Sequence, residues 1–131
     1  MYNQINVDPE KVLVVVVNDN IDSNEELQII QGVKGLKAQQ NLNDDWFNTV
    51  VVNNPRTKNM SGTGAWNTGV YMAFEKNPDC FVAFLDDDDE FLSNHLNDCI
   101  EAIEAGETTE AVFQELTWKM EDGTLMPFPI L

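Results

Sequence analysis

Val12 to Val17 is an unbroken apolar run made mostly of valine, with no polar residue to mark a wet face. β-Branched side chains favour extended backbone, and a strand without alternation needs cover on both faces, as inside a parallel sheet flanked by helices. Lys11–Val17 therefore reads as a buried strand, stopped by the turn-forming residues Asn18-Asp19-Asn20. The pattern returns at Asn48–Val52, ended by Asn53-Asn54-Pro55. It returns again at Cys80–Leu85, which runs straight into Asp86-Asp87-Asp88-Asp89-Glu90.

Helical spacing fills the intervals. Ser23 and Glu26 form a capping box, and Leu27, Ile30, Val33 and Leu36 recur at the period of an amphipathic helix over residues 24–40. A polar, small-residue loop from Arg56 to Gly64 precedes a second helix over Ala65–Lys76, closed by Asn77-Pro78. Leu96, Ile100 and Ile103 share one side of a third helix that reaches Ala105, with Gly106 as its C-terminal cap. From Ala111 the pattern turns to strand, and Asp122-Gly123 is a hairpin turn between Met120 and Leu125. Residues 1–10 are polar and read as a loose lead-in. This order predicts one α/β domain over residues 1–131, a three-layer α/β/α arrangement with a mostly parallel sheet and a C-terminal β-hairpin.

Charge narrows the ligands. Lys plus Arg number 7 against 23 Asp plus Glu, a net charge of −16. Such a chain repels phosphate backbones and anionic bilayers, which disfavours nucleic acid and an anionic membrane surface as general partners. A phosphate-bearing ligand would need a metal ion or a local cation to offset the field. Apolar residues at 43% and charged residues at 23% are those of a folded soluble protein. The longest apolar run is too short to cross a bilayer, and no export leader is recognisable. Cys80 and Cys99 read as reduced, partly buried thiols, which together point to the cytoplasm, with the inner face of a membrane as the alternative. Without an export signal the acceptor pattern Asn59-Met60-Ser61 carries no weight.

In open parallel sheets ligands bind beyond the carboxyl ends of the strands. Those ends carry Asn18-Asp19, Asn53-Asn54 and the aspartate run, all rich in oxygen donors. Hard cations such as Mg²⁺ and Mn²⁺ take carboxylate oxygens together with substrate phosphates, so carboxylates here could hold a metal that holds a diphosphate. Read alone, Asp86–Glu90 is a solvated loop whose acids favour the positive end of the next helix. Its place argues otherwise, because successive like charges after an apolar strand repel unless something positive sits among them. Asp89 and Glu90 are then ordinary helix-start acids, and Asp86 to Asp88 do the binding.

Other features are weaker. Gly62, Gly64 and Gly69 depart from G-x-G-x-x-G spacing and follow a loop rather than a strand. Arg56 and Lys58 lie in that loop and are among the few cations available to a phosphate. His95 is the single histidine, which excludes a His-rich metal site, and reads as a surface position. Trp46, Trp66 and Trp118 read as packing residues, with Trp66 nearest the proposed ligand edge.

Gly64-Ala-Trp-Asn-Thr-Gly69 together with Phe81-Val-Ala-Phe-Leu-Asp-Asp-Asp-Asp-Glu-Phe91 resembles family 2 glycosyltransferases of the GT-A fold. Their pattern is Ala-Arg-Asn-x-Gly, a helix, then an apolar strand ending in Asp-x-Asp-Asp before an aromatic residue. Val16-Val-Asn-Asp-Asn-Ile-Asp-Ser23 is similar to the family's Val-Val-Asp-Asp-Gly-Ser-Thr-Asp segment, so the likeness covers about residues 11–126.

The resemblance implies a nucleotide-diphosphate sugar, UDP- or GDP-linked, as donor. Asp19 with Asn18 would contact the base. Asp86 and Asp87 would lie near ribose and sugar, and Asp88 with Asp86 would coordinate Mn²⁺ or Mg²⁺ at the diphosphate. Trp66 and Asn67 would complete the donor side. It also implies inverting transfer to a hydroxyl of an acceptor saccharide or lipid-linked glycan. Four departures stand out: Asn18 where the family has Asp, Trp66 where it has Arg, no first strand before Lys11, and no acceptor-side half after the hairpin. The expectation is a donor-binding core shortened at both ends, with no assignable catalytic base and no turnover alone. An edge left open by the absent strand would favour self-association. The rival readings are a non-catalytic binding module that keeps the fold, and a sugar-phosphate nucleotidyltransferase, which would need a Gly-rich basic loop where Asn18–Ser23 stands.

Overall fold

The two valine-rich runs pair with each other. In the computed structural model, which describes residues 1–20, 24–55, 62–112 and 116–127, Leu13–Asn18 (β1) and Asn48–Asn53 (β2) form a two-stranded parallel sheet. Its register sets Leu13 opposite Asn48 and Asn18 opposite Asn53. Parallel neighbours need a crossover, and helix α1, Asn24–Gln39, supplies it. α1 packs on β2, and helix α2, Thr63–Lys76, packs on β1. The second contact runs past Gly69, where an added Cβ would stand at van der Waals distance, 3.4 Å, from Val17 Cγ2. The valines of both strands are half-buried rather than enclosed, with α2 the main cover of β1 and α1 of β2 among the described residues.

α1 turns a different face inward from the one its apolar spacing predicts. Ile30 and Val33 are half-buried, but Leu27 is 62% exposed and Lys37 is buried. The cause is the Lys37 ammonium, which donates to the Asp44 carbonyl at 2.7 Å and to the Phe47 carbonyl at 3.3 Å. It also lies 5.3 Å from the centre of the Tyr2 ring, a cation–π distance. Backbone oxygens thus balance a buried cation without a carboxylate, and Lys37 sets the helix rotation. Ser23 of the expected capping box lies outside the described residues.

Residues 1–10 are no loose lead-in. Tyr2 is buried against the fully enclosed Phe47, and its hydroxyl donates at 2.8 Å to Thr49 Oγ1, which itself donates to the Phe47 carbonyl. Phe47 adopts φ 46°, a left-handed conformation that costs a bulky residue about 1–2 kcal/mol. Complete burial of its ring offsets that cost. Gln4, 4% exposed, ties the chain start to helix α3, His95–Ala105. Its Nε2 donates to the Leu92 carbonyl at 2.7 Å, and its Oε1 accepts from the Leu96 N–H at 2.9 Å. The Ile5 N–H adds a bond to the Ser93 carbonyl at 2.8 Å. A distant amide therefore satisfies an N-terminal donor of α3, while the N-cap residue Asn94 gives its side chain to Asp98 instead.

Cys80–Leu85 joins no strand, contrary to the sequence reading. Phe81 is 55% exposed, and the segment enters no ladder with β1 or β2. An apolar run states a demand for cover, whereas a strand exists only where a neighbour supplies hydrogen bonds. The C-terminal pair does form: Thr117–Lys119 (β3) and Leu125–Pro127 (β4) run antiparallel around Asp122-Gly123. Gly123 takes φ 85°, and the Met120 N–H donates to the Thr124 carbonyl at 2.9 Å. β3 starts later than Ala111, and residues 113–115 lie outside the described residues. Gly106 caps α3, though in extended backbone at φ −98°, so its glycine freedom is not used. No helix of the described residues is long and apolar enough to cross a membrane.

Gln4→Ala removes the bond to the Leu92 carbonyl and the bond from the Leu96 N–H of α3, and strands that buried N–H. A loss of about 1–3 kcal/mol is expected, read as a lower urea midpoint at unchanged slope.

Candidate functional site

The carboxyl ends of β1 and β2 lie side by side because the strands are parallel and in register. Asn18, 5% exposed, donates through Nδ2 to Asn53 Oδ1 at 2.9 Å and accepts from the Asn20 N–H through Oδ1 at 3.1 Å. Asn53 Nδ2 donates to Glu26 Oε2 at 2.7 Å. Asn54 extends the network: its N–H donates to the Asn18 carbonyl at 2.8 Å, and its Nδ2 to Asp19 Oδ1 at 2.7 Å. Asn18, Asp19, Asn53 and Asn54 thus form one polar rim, with Asp19 on its exposed side.

α2 links this rim to the aspartate run. Thr68 Oγ1, early in α2, donates to Asn54 Oδ1 at 3.0 Å and to the Gly64 carbonyl at 3.0 Å. Two residues before Thr68, the Trp66 ring meets the Phe84 ring at 5.1 Å and 40°. Phe84 lies two positions ahead of Asp86. The start of α2 therefore touches both the amide rim and the segment that leads into the acids, although Cys80–Leu85 is no strand. Gly62 begins the helix at φ 78°, without a side-chain cap, and no acid occupies the first turn. That leaves the positive end of the helix unopposed by its own residues. Trp66 and Asn67 are exposed there, with Trp66 packed on Phe84, and Trp118 is exposed in the hairpin. Arg56 and Lys58 lie outside the described residues.

Asp86, Asp87 and Asp88 are all exposed. Asp86, Asp88 and Asp89 each place a carboxylate oxygen within 4.8 Å of the others. Asp89 is thereby drawn into the cluster, not into a helix start, because α3 begins only at His95 and its first-turn acid is Asp98. The Asp89 N–H donates to the Asp86 carbonyl at 3.2 Å, a turn that folds the run back on itself. Glu90 points elsewhere: its carboxylate pairs with Lys119 Nζ at 2.6 Å. That hydrogen bond, with the lysine charge, holds the Glu90 carboxyl below its ordinary range. Among the described residues no cation forms an ion pair with Asp86, Asp88 or Asp89. Three hard oxygen donors at this separation fit Mg²⁺ or Mn²⁺ by donor chemistry and exclude a soft-metal preference. A separate cavity of about 110 Å³ between α1 and β2, lined by Lys34, Lys37, Asp44 and Thr49, contains none of these acids.

The family model for Glycosyl transferase family 2 matches residues 2–124 of the 131. The chain belongs to that family. Its match begins at the buried N-terminal segment and ends inside the hairpin, so both belong to the family domain. No curated protein and no solved structure gives a significant match. Membership in glycosyltransferase family 2 assigns a general role in glycosyl transfer, in a family where divalent metals are common. Nucleotide-sugar donors and acceptors are the corresponding general partners.

The polar rim also accounts for one departure from the family pattern. A carboxylate at position 18 would have no proton for Asn53 Oδ1, and turning the Asn53 amide would aim its oxygen at Glu26. Asn18→Asp is expected to cost about 1–3 kcal/mol at neutral pH. Burial, together with the Asn53 oxygen it would face, raises the new carboxyl's pKa although the Asn20 N–H still donates to it, so the loss shrinks as pH falls through that raised value. Urea midpoints of both proteins, compared at neutral and acid pH, check the sign.

Proposed function

We propose that residues 1–131 form a single donor-binding domain, three-layered in the GT-A manner, that holds a UDP- or GDP-sugar along the edge from Asp19 to Asp88. The reaction is inverting transfer of the sugar to a hydroxyl of a saccharide or lipid-linked glycan. The observation that carries this reading is the Asp86, Asp88 and Asp89 cluster, three carboxylate oxygens together without a paired cation among the described residues.

Asn18 and Asp19 take the base side, where the rim offers amide and carboxylate groups to a heterocycle edge. Asp87, with Asp86, faces ribose and sugar hydroxyls as an acceptor of hydrogen bonds. Asp86 and Asp88, joined by Asp89, would hold a divalent ion, which when bound neutralises charge on the departing diphosphate. Trp66 and Asn67 stand at the uncapped start of α2, where backbone N–H groups favour an anion. The catalytic base is unassigned. The chain's own residues thus bind and orient the donor and place negative charge where a metal–diphosphate is needed.

One observation favours a second reading, a binding module that keeps the fold without turnover. Cys80–Leu85 stands outside the sheet, and Phe81 and Phe84 remain exposed. Calorimetry separates this from the first reading. Mn²⁺ is expected to tighten UDP or GDP binding by more than about tenfold, a gain of about 1.4 kcal/mol, and Asp88→Ala is expected to abolish that gain. Equal affinity with and without metal removes the metal–diphosphate assignment.

Among the described residues no third strand pairs with the β1–β2 sheet, and a second copy of the chain is the proposed occupant of its edge. Light scattering at rising concentration is expected to show oligomers. A monodisperse monomer at high concentration overturns it.

A further inference from the structure

The one histidine of the chain, His95, opens α3 one turn before Cys99. Residues four apart share a helix face, and His95 Nε2 stands 3.9 Å from Cys99 Sγ. The imidazole is held in place: it stacks on Phe91 with ring centres 3.9 Å apart and planes 13° from parallel. Both residues are half-buried, so the pair is fixed yet reachable from solvent. Burial, aided by the neighbouring Asp98 charge, pushes the Cys99 thiol up, so Cys99 rests as a thiol and not as a ready thiolate nucleophile.

We propose that His95 and Cys99 together bind a thiophilic divalent cation of the zinc type, at a site distinct in its donors from the all-oxygen cluster of Asp86, Asp88 and Asp89. Zinc bonds imidazole nitrogen at about 2.0–2.1 Å and thiolate sulfur at about 2.3 Å. An ion touching both atoms at their present separation subtends an angle of about 125–130°, and a shift of a few tenths of an ångström brings it to the tetrahedral ~109°. The imidazole binds neutral through its Nε2 lone pair. Cys99 binds as thiolate, its proton passing to water as the metal–sulfur bond forms. Among the described residues no third acid, histidine or cysteine joins the pair in a ligand cluster, so water completes the coordination. The same turn-spaced geometry serves paired histidines on metal-binding helices. Asp98, whose charge acts on Cys99, adds negative charge that favours a cation.

Cadmium, a thiophilic stand-in for zinc, gives an ultraviolet sulfur-to-metal band that reports only sulfur ligation. Titration of the full chain with Cd²⁺ at neutral pH is expected to produce this band in the wild type, in Cys80→Ser and in Asp88→Ala. Cys99→Ser is expected to lose it. His95→Gln is expected to weaken binding by at least the ~10-fold that loss of even an outer-shell partner costs a metal site. Zinc-edge X-ray absorption on the loaded wild type, which needs no variant to fold, is expected to show one sulfur and one imidazole nitrogen among lighter ligands. A band that survives Cys99→Ser, disappears in Cys80→Ser or Asp88→Ala, or keeps its affinity in His95→Gln overturns the proposal. An all-oxygen shell at the zinc edge does the same.

Discussion

The parallel ladder between β1 and β2 is the constraint on which the candidate site depends. Parallel register carries both strands to the same edge, so each strand's terminal asparagine meets the other, Asn18 opposite Asn53. Antiparallel pairing would have sent those ends to opposite sides of the sheet. Once together, the amides order themselves by donor and acceptor: Asn18 gives to Asn53, Asn53 to Glu26, and Asn54 to Asp19. Each bond takes a direction that the next one forces. The rim also fixes where α2 begins, through the Thr68 bond to Asn54, and α2 in turn meets Phe84 just ahead of the acids.

The start of β2 performs a different task. There the chain start is folded in, with Tyr2 on Phe47, Lys37 under the Tyr2 ring, and Gln4 bonded to both sides of the α3 start. Buried polar groups this well satisfied rigidify what they join. The aromatic staple and the asparagine rim are thereby separated along the sheet: Tyr2, Phe47 and Lys37 sit at the start of β2, and Asn18, Asn53 and Asn54 at the carboxyl ends of the strands. The few cations follow the same division. Lys37 is spent on backbone carbonyls and Lys119 on Glu90, so neither neutralises Asp86, Asp88 or Asp89.

Much of the secondary structure was legible because it follows from local rules. β1, β2, α1, α2, α3 and the Asp122-Gly123 hairpin appear within a few residues of their predicted places. Valine density, helical spacing and turn residues act over a few positions, and the chain obeys them. The acid cluster was legible as composition. The inclusion of Asp89 was not, because it depends on a turn that folds the run back on itself. The orientation of α1 was hidden for a similar reason. A lysine among apolar residues reads as surface, and nothing local shows that two carbonyls and a tyrosine ring wait for it.

By itself, then, the sequence determined the places of β1, β2, the three helices and the C-terminal hairpin, that acids and asparagines end the strand-like runs, and that the chain belongs to a sugar-transferring family. Tertiary structure alone decided that Gln4 caps α3, that Lys37 is buried, that Cys80–Leu85 stays outside the sheet, and that His95 meets Cys99. The reason is one of range. Propensity and periodicity are summed over neighbours along the chain, whereas a buried amide, a buried charge or a strand's ladder needs a partner that only folding delivers.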